Sequence, residues 1–140
     1  MTTMHASCAA RDEDGVLLLG PPGSGKSDLL LRLLDIGFEM VGDDRIEVTD
    51  GWARPAGTLA GLLEVRGLGI MRLPYRSAAR LALAVALGNS ERLPAPARHP
   101  VLDLPLVSVD PTSCSAPRRV ALAFECALGR MSQVSGAFAA

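Results

Sequence analysis

A short apolar run of strand type, Val16-Leu17-Leu18-Leu19, leads directly into Gly20-Pro21-Pro22-Gly23-Ser24-Gly25-Lys26-Ser27, and a leucine-rich segment of helical period follows. Strand, glycine loop and helix in that order constrain the fold more than any other feature of this chain. The loop has the G-x-x-x-x-G-K-[ST] pattern of a phosphate cradle. Gly20, Gly23 and Gly25 permit backbone conformations that a β-carbon forbids, so successive N–H groups can turn toward phosphate oxygens. Lys26 brings a positive charge, Ser27 a hydroxyl suited to magnesium, and the helix N-terminus a dipole that favours anions. A nucleotide or other polyphosphate is the expected ligand of residues 20–27.

The rest of the chain reads as a mixed α/β sheet, rich in strands and poor in helices. A strand is expected at His5–Ala10, turning through Arg11–Gly15 into Val16–Leu19. The helix Asp28–Ile36 should end at Gly37, followed by a strand Phe38–Gly42 that runs into Asp43-Asp44. Arg45–Thr49 and Trp52–Arg54 read as a hairpin about Asp50-Gly51. Further strands are expected at Leu62–Val65, Ile70–Leu73, Arg80–Leu87 and Leu104–Val109, with a proline-marked loop at Pro94, Pro96 and Pro100. Pro117 suits the first turn of a last helix ending near Gly129, with Ser113 or Ser115 as its cap. Val120, Leu122, Ala123, Ala127 and Leu128 are its expected core face. One domain over 1–140 is expected, with a frayed tail from about Ser132.

Composition narrows the function classes. The 140 residues carry 14 Lys+Arg against 15 Asp+Glu, a formal net charge of -1, and only 4% aromatics. A nucleic-acid or membrane binder usually shows a basic excess, and base stacking needs aromatic rings, so neither partner is expected. Cys8, Cys114 and Cys126 have no framework spacing and read as reduced thiols of a cytoplasmic protein. The longest apolar run, Leu81–Leu87, falls far short of the ~18 residues of a membrane span.

Two further constellations carry chemistry. Asp43 and Asp44 follow a strand beside the phosphate loop, where one carboxylate can serve magnesium and the other can deprotonate an attacking hydroxyl. On extended chain the two point in opposite directions, which divides the roles. A solvated Asp-Asp turn is the competing reading. In Leu62-Leu63-Glu64-Val65-Arg66-Gly67-Leu68-Gly69-Ile70, Glu64 and Arg66 share one face of an extended segment. Glu64 is a candidate metal ligand and Arg66 a candidate phosphate contact; a surface ion pair before a turn explains these two residues equally well.

Taken together, these residues resemble the bacterial HPr kinase/phosphorylase family. His5 precedes Gly20 at the family's spacing. The phosphate loop and the Asp43-Asp44 pair come next in family order, and Leu63–Ile70 repeats the family's Leu-Glu-Ile-Arg-Gly-Leu-Gly-Ile signature with only Val65 differing. Glu91-Arg92-Leu93 is similar to its Asp-Arg-Leu, and Arg118–Leu128 to its last core helix. The resemblance covers nearly all of residues 5–130. It implies a phosphate-loop domain of the type shared with phosphoenolpyruvate carboxykinase. It also implies transfer of phosphate from ATP, or pyrophosphate, with Mg2+ to a serine of HPr, the phosphocarrier of the phosphotransferase system. Many members reverse the modification by phosphorolysis.

By position the resemblance makes Asp44 the acceptor of the serine proton, Lys26 and His5 active-site residues, Ser27 and Glu64 magnesium ligands and Arg92 a catalytic arginine. The long members carry a separate N-terminal domain and a terminal helix that helps hold a hexamer and contacts HPr. This chain is expected to match their short alphaproteobacterial form, with the homo-oligomer left open. The basic loop tied to phosphorolysis is replaced by Asp110-Pro111-Thr112-Ser113-Cys114-Ser115-Ala116-Pro117-Arg118-Arg119, so the kinase direction is the firmer expectation. Two other readings compete: a small-molecule kinase of shikimate or nucleoside type, and a nucleotide sensor that has lost turnover.

Overall fold

Why the active elements meet at one edge follows from strand direction. In a computed structural model, which describes residues 1–139, ten strands and two helices follow one another. They are β1 (Thr2–Met4), β2 (Ala6–Arg11), β3 (Asp14–Leu19), α1 (Lys26–Leu34), β4 (Glu39–Gly42), β5 (Ile46–Thr49), β6 (Trp52–Pro55), β7 (Leu62–Val65), β8 (Gly69–Arg72), β9 (Ala79–Leu87), β10 (Leu106–Val109) and α2 (Ala116–Ala127). The main sheet runs β1-β5-β6-β9-β3-β2-β4, with β10 added in parallel to β9. Strand β2 lies antiparallel between β3 and β4, so β3 and β4 run the same way. The C-terminal ends of β3 and β4 therefore share an edge with the N-terminal end of β2. Leu19 stands opposite Ala6, and Gly42 opposite Cys8.

The period of two along β2 and β3 sorts side chains onto two cores. Ala9, Val16 and Leu18 face a cluster with Leu29, Leu30 and Leu33 of α1 and Val120, Ala121 and Phe124 of α2. Ala6, Cys8, Ala10 and Leu17 face the other way, against Val41, Ile46, Val48 and Ala53, where the β5–β6 hairpin folds over. The Asp50-Gly51 turn of that hairpin has φ of 51° and 80°, the geometry that Asp-Gly suits. Gly42 is required by close approach: a β-carbon there would lie 2.7 Å from the Ile46 Cδ1 and 3.3 Å from the Pro55 Cα. Phe38 meets Phe124 edge-to-face at 5.3 Å, and the Arg11 guanidinium caps Phe38 at 4.2 Å, tying α2 to the sheet edge.

Several boundaries differ from the sequence-based expectations. His5 lies between two strands, and β1 ahead of it pairs with β5, a non-local contact that no local pattern signals. Helix α1 begins at Lys26, two residues early, because Gly25 takes the left-handed N-cap with φ 102°; it ends at Leu34, leaving Ile36 exposed. On α2, Leu122 points to solvent, and Phe124 with Ala121 holds the core. Positions 120 and 122 are about 200° apart on a helix, so both cannot face one stripe. Ser115 is the N-cap of α2, yet its hydroxyl accepts from the Arg119 Nε and does not cap the helix. Residues 132–139 of the tail have no helix or strand, but Phe138 packs back against the first core. No helix among the described residues is long and apolar enough to cross a membrane.

Candidate active site

The shared edge of β3, β2 and β4 carries a pocket of about 440 Å³, within the range of small-ligand sites. The phosphate loop closes one side. Gly25 accepts the first helical bond from the Leu29 N–H, and no side chain caps the helix, so its first N–H groups remain available to an anion. Lys26 is buried, and its ammonium donates to the carbonyls of Gly20 at 2.6 Å and Pro21 at 3.0 Å. Burial pulls the Lys26 pKa below the usual lysine value, while the carboxylates of Asp43 and Asp44 act against that shift.

The two aspartates are divided by a turn. Strand β4 stops at Gly42, and Asp44 adopts the left-handed region with φ 68°, so the pair does not lie on extended chain as expected. A short polar side chain tolerates that conformation better than most. The turn sends the carboxylates to different environments. Asp43 is buried and accepts hydrogen bonds from the Ser27 hydroxyl, 3.0 Å and 2.8 Å from its two oxygens, and from Ser7 at 2.5 Å. Asp44 is exposed and pairs with the His5 Nε2 at 2.8 Å. An exposed pair of this kind contributes little to stability, so the His5–Asp44 contact is better read as positioning.

Pro22, Gly23, Gly25, Lys26 and Ser27 line the pocket, as do His5, Asp43 and Asp44. Gly20 and Pro21 hold Lys26 through their carbonyls, and Ser24 spans the loop, its N–H donating to Pro21. The β7–β8 hairpin stands apart from the main sheet and brings Glu64 and Arg66 to the same pocket. Arg92 is not brought there: it lies exposed in the proline-rich segment between β9 and β10. Ser7 is the residue that sequence reading missed. Its signal was the strand period, since Ser7 lies two positions before Ala9 on β2 and so projects to the α1 side of the sheet.

Among the described residues no three His, Cys, Asp or Glu side chains gather as a metal cage. With a nucleotide, Mg2+ usually takes one or two protein ligands and completes its shell with phosphate oxygens and water. The Ser27 hydroxyl against a buried Asp43 carboxylate, in the same first turn as the uncapped helix amides, fits such a group.

Comparisons with known proteins identify the family. Residues 1–77 match the family described as HPr Serine kinase C-terminal domain. The HPr kinase/phosphorylase of Streptococcus salivarius is 37% identical over 89 residues, which span 55% of this chain and 29% of that protein. The enzyme of the same name from Streptococcus thermophilus is 45% identical over 62 residues, spanning 41% of this chain and 20% of the relative. The chain thus covers under a third of the length of these relatives. The solved Hpr(Ser) kinase/phosphatase from Coxiella burnetii superposes with a TM-score of 0.73 over 86% of each chain at 23% identity, a likeness of fold. The segment that matches the family is more than half of the chain and contains every residue lining the pocket; the chain belongs to the HPr Serine kinase C-terminal domain family.

Proposed function

We propose that this chain transfers the terminal phosphate of ATP to a serine of an HPr-type phosphocarrier protein. The observation that carries the reading is the His5–Asp44 pair, 2.8 Å apart at the mouth of a phosphate-loop pocket. Phosphoryl transfer needs mainly positioning and charge neutralisation, with a base to take the hydroxyl proton. Asp44 is that base: exposed and anchored through Oδ1 to His5, it keeps its other oxygen free to accept the proton of an incoming serine. In the reverse direction it returns that proton. Loop amides and Lys26 hold the donor phosphates, and Lys26 exchanges its bonds to the Gly20 and Pro21 carbonyls for phosphate oxygens. Ser27 and Asp43 would hold magnesium, with Glu64 the further candidate across the pocket; the ion supplies charge neutralisation on the transferred group. Arg66 approaches from β7 as a second cation.

An acceptor panel tests the reading. The chain is incubated with Mg2+ and ATP, or Mg2+ and pyrophosphate, together with HPr from the same organism, shikimate and nucleosides. Serine phosphorylation of HPr that vanishes in Asp44→Asn is expected. Transfer to a small molecule alone would overturn the assignment in favour of a metabolite kinase, and nucleotide binding without transfer would make the chain a sensor. Loss of label on adding inorganic phosphate to phospho-HPr reports the reverse reaction.

A further inference from the structure

Among the described residues, the buried polar or charged side chains are Ser7, Lys26 and Asp43, and all three meet at this one pocket. Lys26 and Asp43 have roles in the reaction proposed above. Ser7 has none, although it is fully buried in a strand whose neighbours Ala6, Cys8, Ala9 and Ala10 are small and weakly polar or apolar. A hydroxyl placed there in isolation costs free energy relative to alanine, so its hydrogen bond must repay the burial. That bond goes to the Oδ1 of Asp43 at 2.5 Å, across 36 positions of sequence.

The two hydroxyls on Asp43 differ in what anchors them. Ser27 belongs to the first turn of α1, and its hydroxyl lines the pocket as the magnesium candidate named above. Ser7 is fixed from the opposite side by the β2 ladder, opposite Leu18 on β3. It holds the carboxylate whatever the phosphate loop does. A buried carboxylate with one donor can rotate about its terminal torsion, whereas donors on two elements fix its plane.

We propose that Ser7 is a positioning residue that locks the Asp43 carboxylate in the orientation needed to bind magnesium with the nucleotide phosphates. Groups that orient a metal ligand from behind typically change metal affinity by about 10- to 100-fold when removed. The proposal rests on the Mg2+–nucleotide part of the function above and not on the identity of the acceptor.

The test compares Ser7→Thr with Ser7→Val, which have nearly the same shape and differ in the hydroxyl. Calorimetric titration measures ADP binding with and without Mg2+, and thermal melts report folding. Ser7→Thr should keep the wild-type gain in affinity from Mg2+, while Ser7→Val loses about 10- to 100-fold of it and binds ADP without Mg2+ as the wild type does. Equal Mg2+ dependence in the two variants overturns the proposal. So does a Ser7→Val chain that fails to fold while Ser7→Thr folds, since the hydroxyl would then be structural. If both variants fail to fold, Ser7→Ala decides in the same way: wild-type Mg2+ dependence in a folded Ser7→Ala, or failure to fold, overturns it. A wild type with no Mg2+-dependent nucleotide binding would refute the nucleotide reading itself, which separates the two failures.

Discussion

Residues 1–77 and residues 78–139 do different physical work. The first part supplies every residue lining the active-site pocket and, among the described residues, all three buried polar or charged side chains. The second supplies β9, β10 and α2, whose buried side chains are Ala79, Leu81, Leu83, Ala84, Val85, Val109, Ala116, Val120, Ala121 and Phe124. Yet the second part is not peripheral. Strand β9 sits in the middle of the sheet, between β6 and β3, and α2 packs against it. The pocket lies on loops and strand ends of the first part, and the second part adds apolar packing beneath them. A site and its support can thus be separated along the chain while interleaved in space.

That division can be broken most decisively at Asp44. Asp44→Asn keeps a side chain suited to the left-handed turn but removes the carboxylate proposed as the base. Phosphate transfer to HPr is expected to fall by about 10²- to 10⁴-fold, with ADP affinity and thermal stability unchanged. A comparable loss of stability would show that the pair is structural. Phe124→Ala should produce the reverse pattern. Truncating this fully buried ring against Phe38 is expected to cost about 3–5 kcal/mol in denaturant unfolding, with Mg2+–ADP affinity of the folded chain preserved. If affinity falls with stability still intact, the two regions are coupled more tightly than their packing suggests.

Cys8 offers a smaller test within the first part. Burial pushes its thiol up from 9.0 to about 12, so the folded chain keeps the proton while the unfolded chain releases it. Between those values the folded state binds more protons, and stability falls as pH rises. Relative to Cys8→Ala, the wild type should lose about 1.4 kcal/mol per pH unit above about pH 9. Parallel pH curves for the two proteins would mean that the thiol ionises in the folded state. The same burial predicts that a thiol reagent labels the exposed Cys114 in the native protein and Cys8 only on unfolding. The smallest effect is expected at Arg92. Because it lies outside the pocket, Arg92→Ala should leave Mg2+–nucleotide affinity within about 2-fold, below ~0.5 kcal/mol. A larger loss would show that the segment between β9 and β10 folds over the site.

Much of this was legible in the residues. The β3–loop–α1 unit, the β5–β6 hairpin at Asp50-Gly51 and the β7–β8 hairpin about Gly67 follow from local pattern and turn chemistry. Asp43 and Asp44 were recognisable as a pair, but the turn that separates them was not, because φ 68° at Asp44 depends on the strand order around it. Strand β1 was missed since Thr2–Met4 becomes a strand only by pairing with β5. Leu122 was misassigned because its hydrophobicity, read alone, outweighed its angular position on α2.

The amino-acid sequence by itself determined which groups are available: three glycines that free the loop backbone, one lysine, one magnesium-suited hydroxyl, and two adjacent carboxylates. Those are consequences of local chemistry and spacing. Only the tertiary structure decided where each group stands and what it touches. Placing β2 antiparallel between β3 and β4 brings His5 to Asp44 and Ser7 to Asp43. Contacts between residues 36 or more positions apart are set by packing of the whole sheet, which encloses Asp43 between two hydroxyls and leaves its neighbour exposed beside His5.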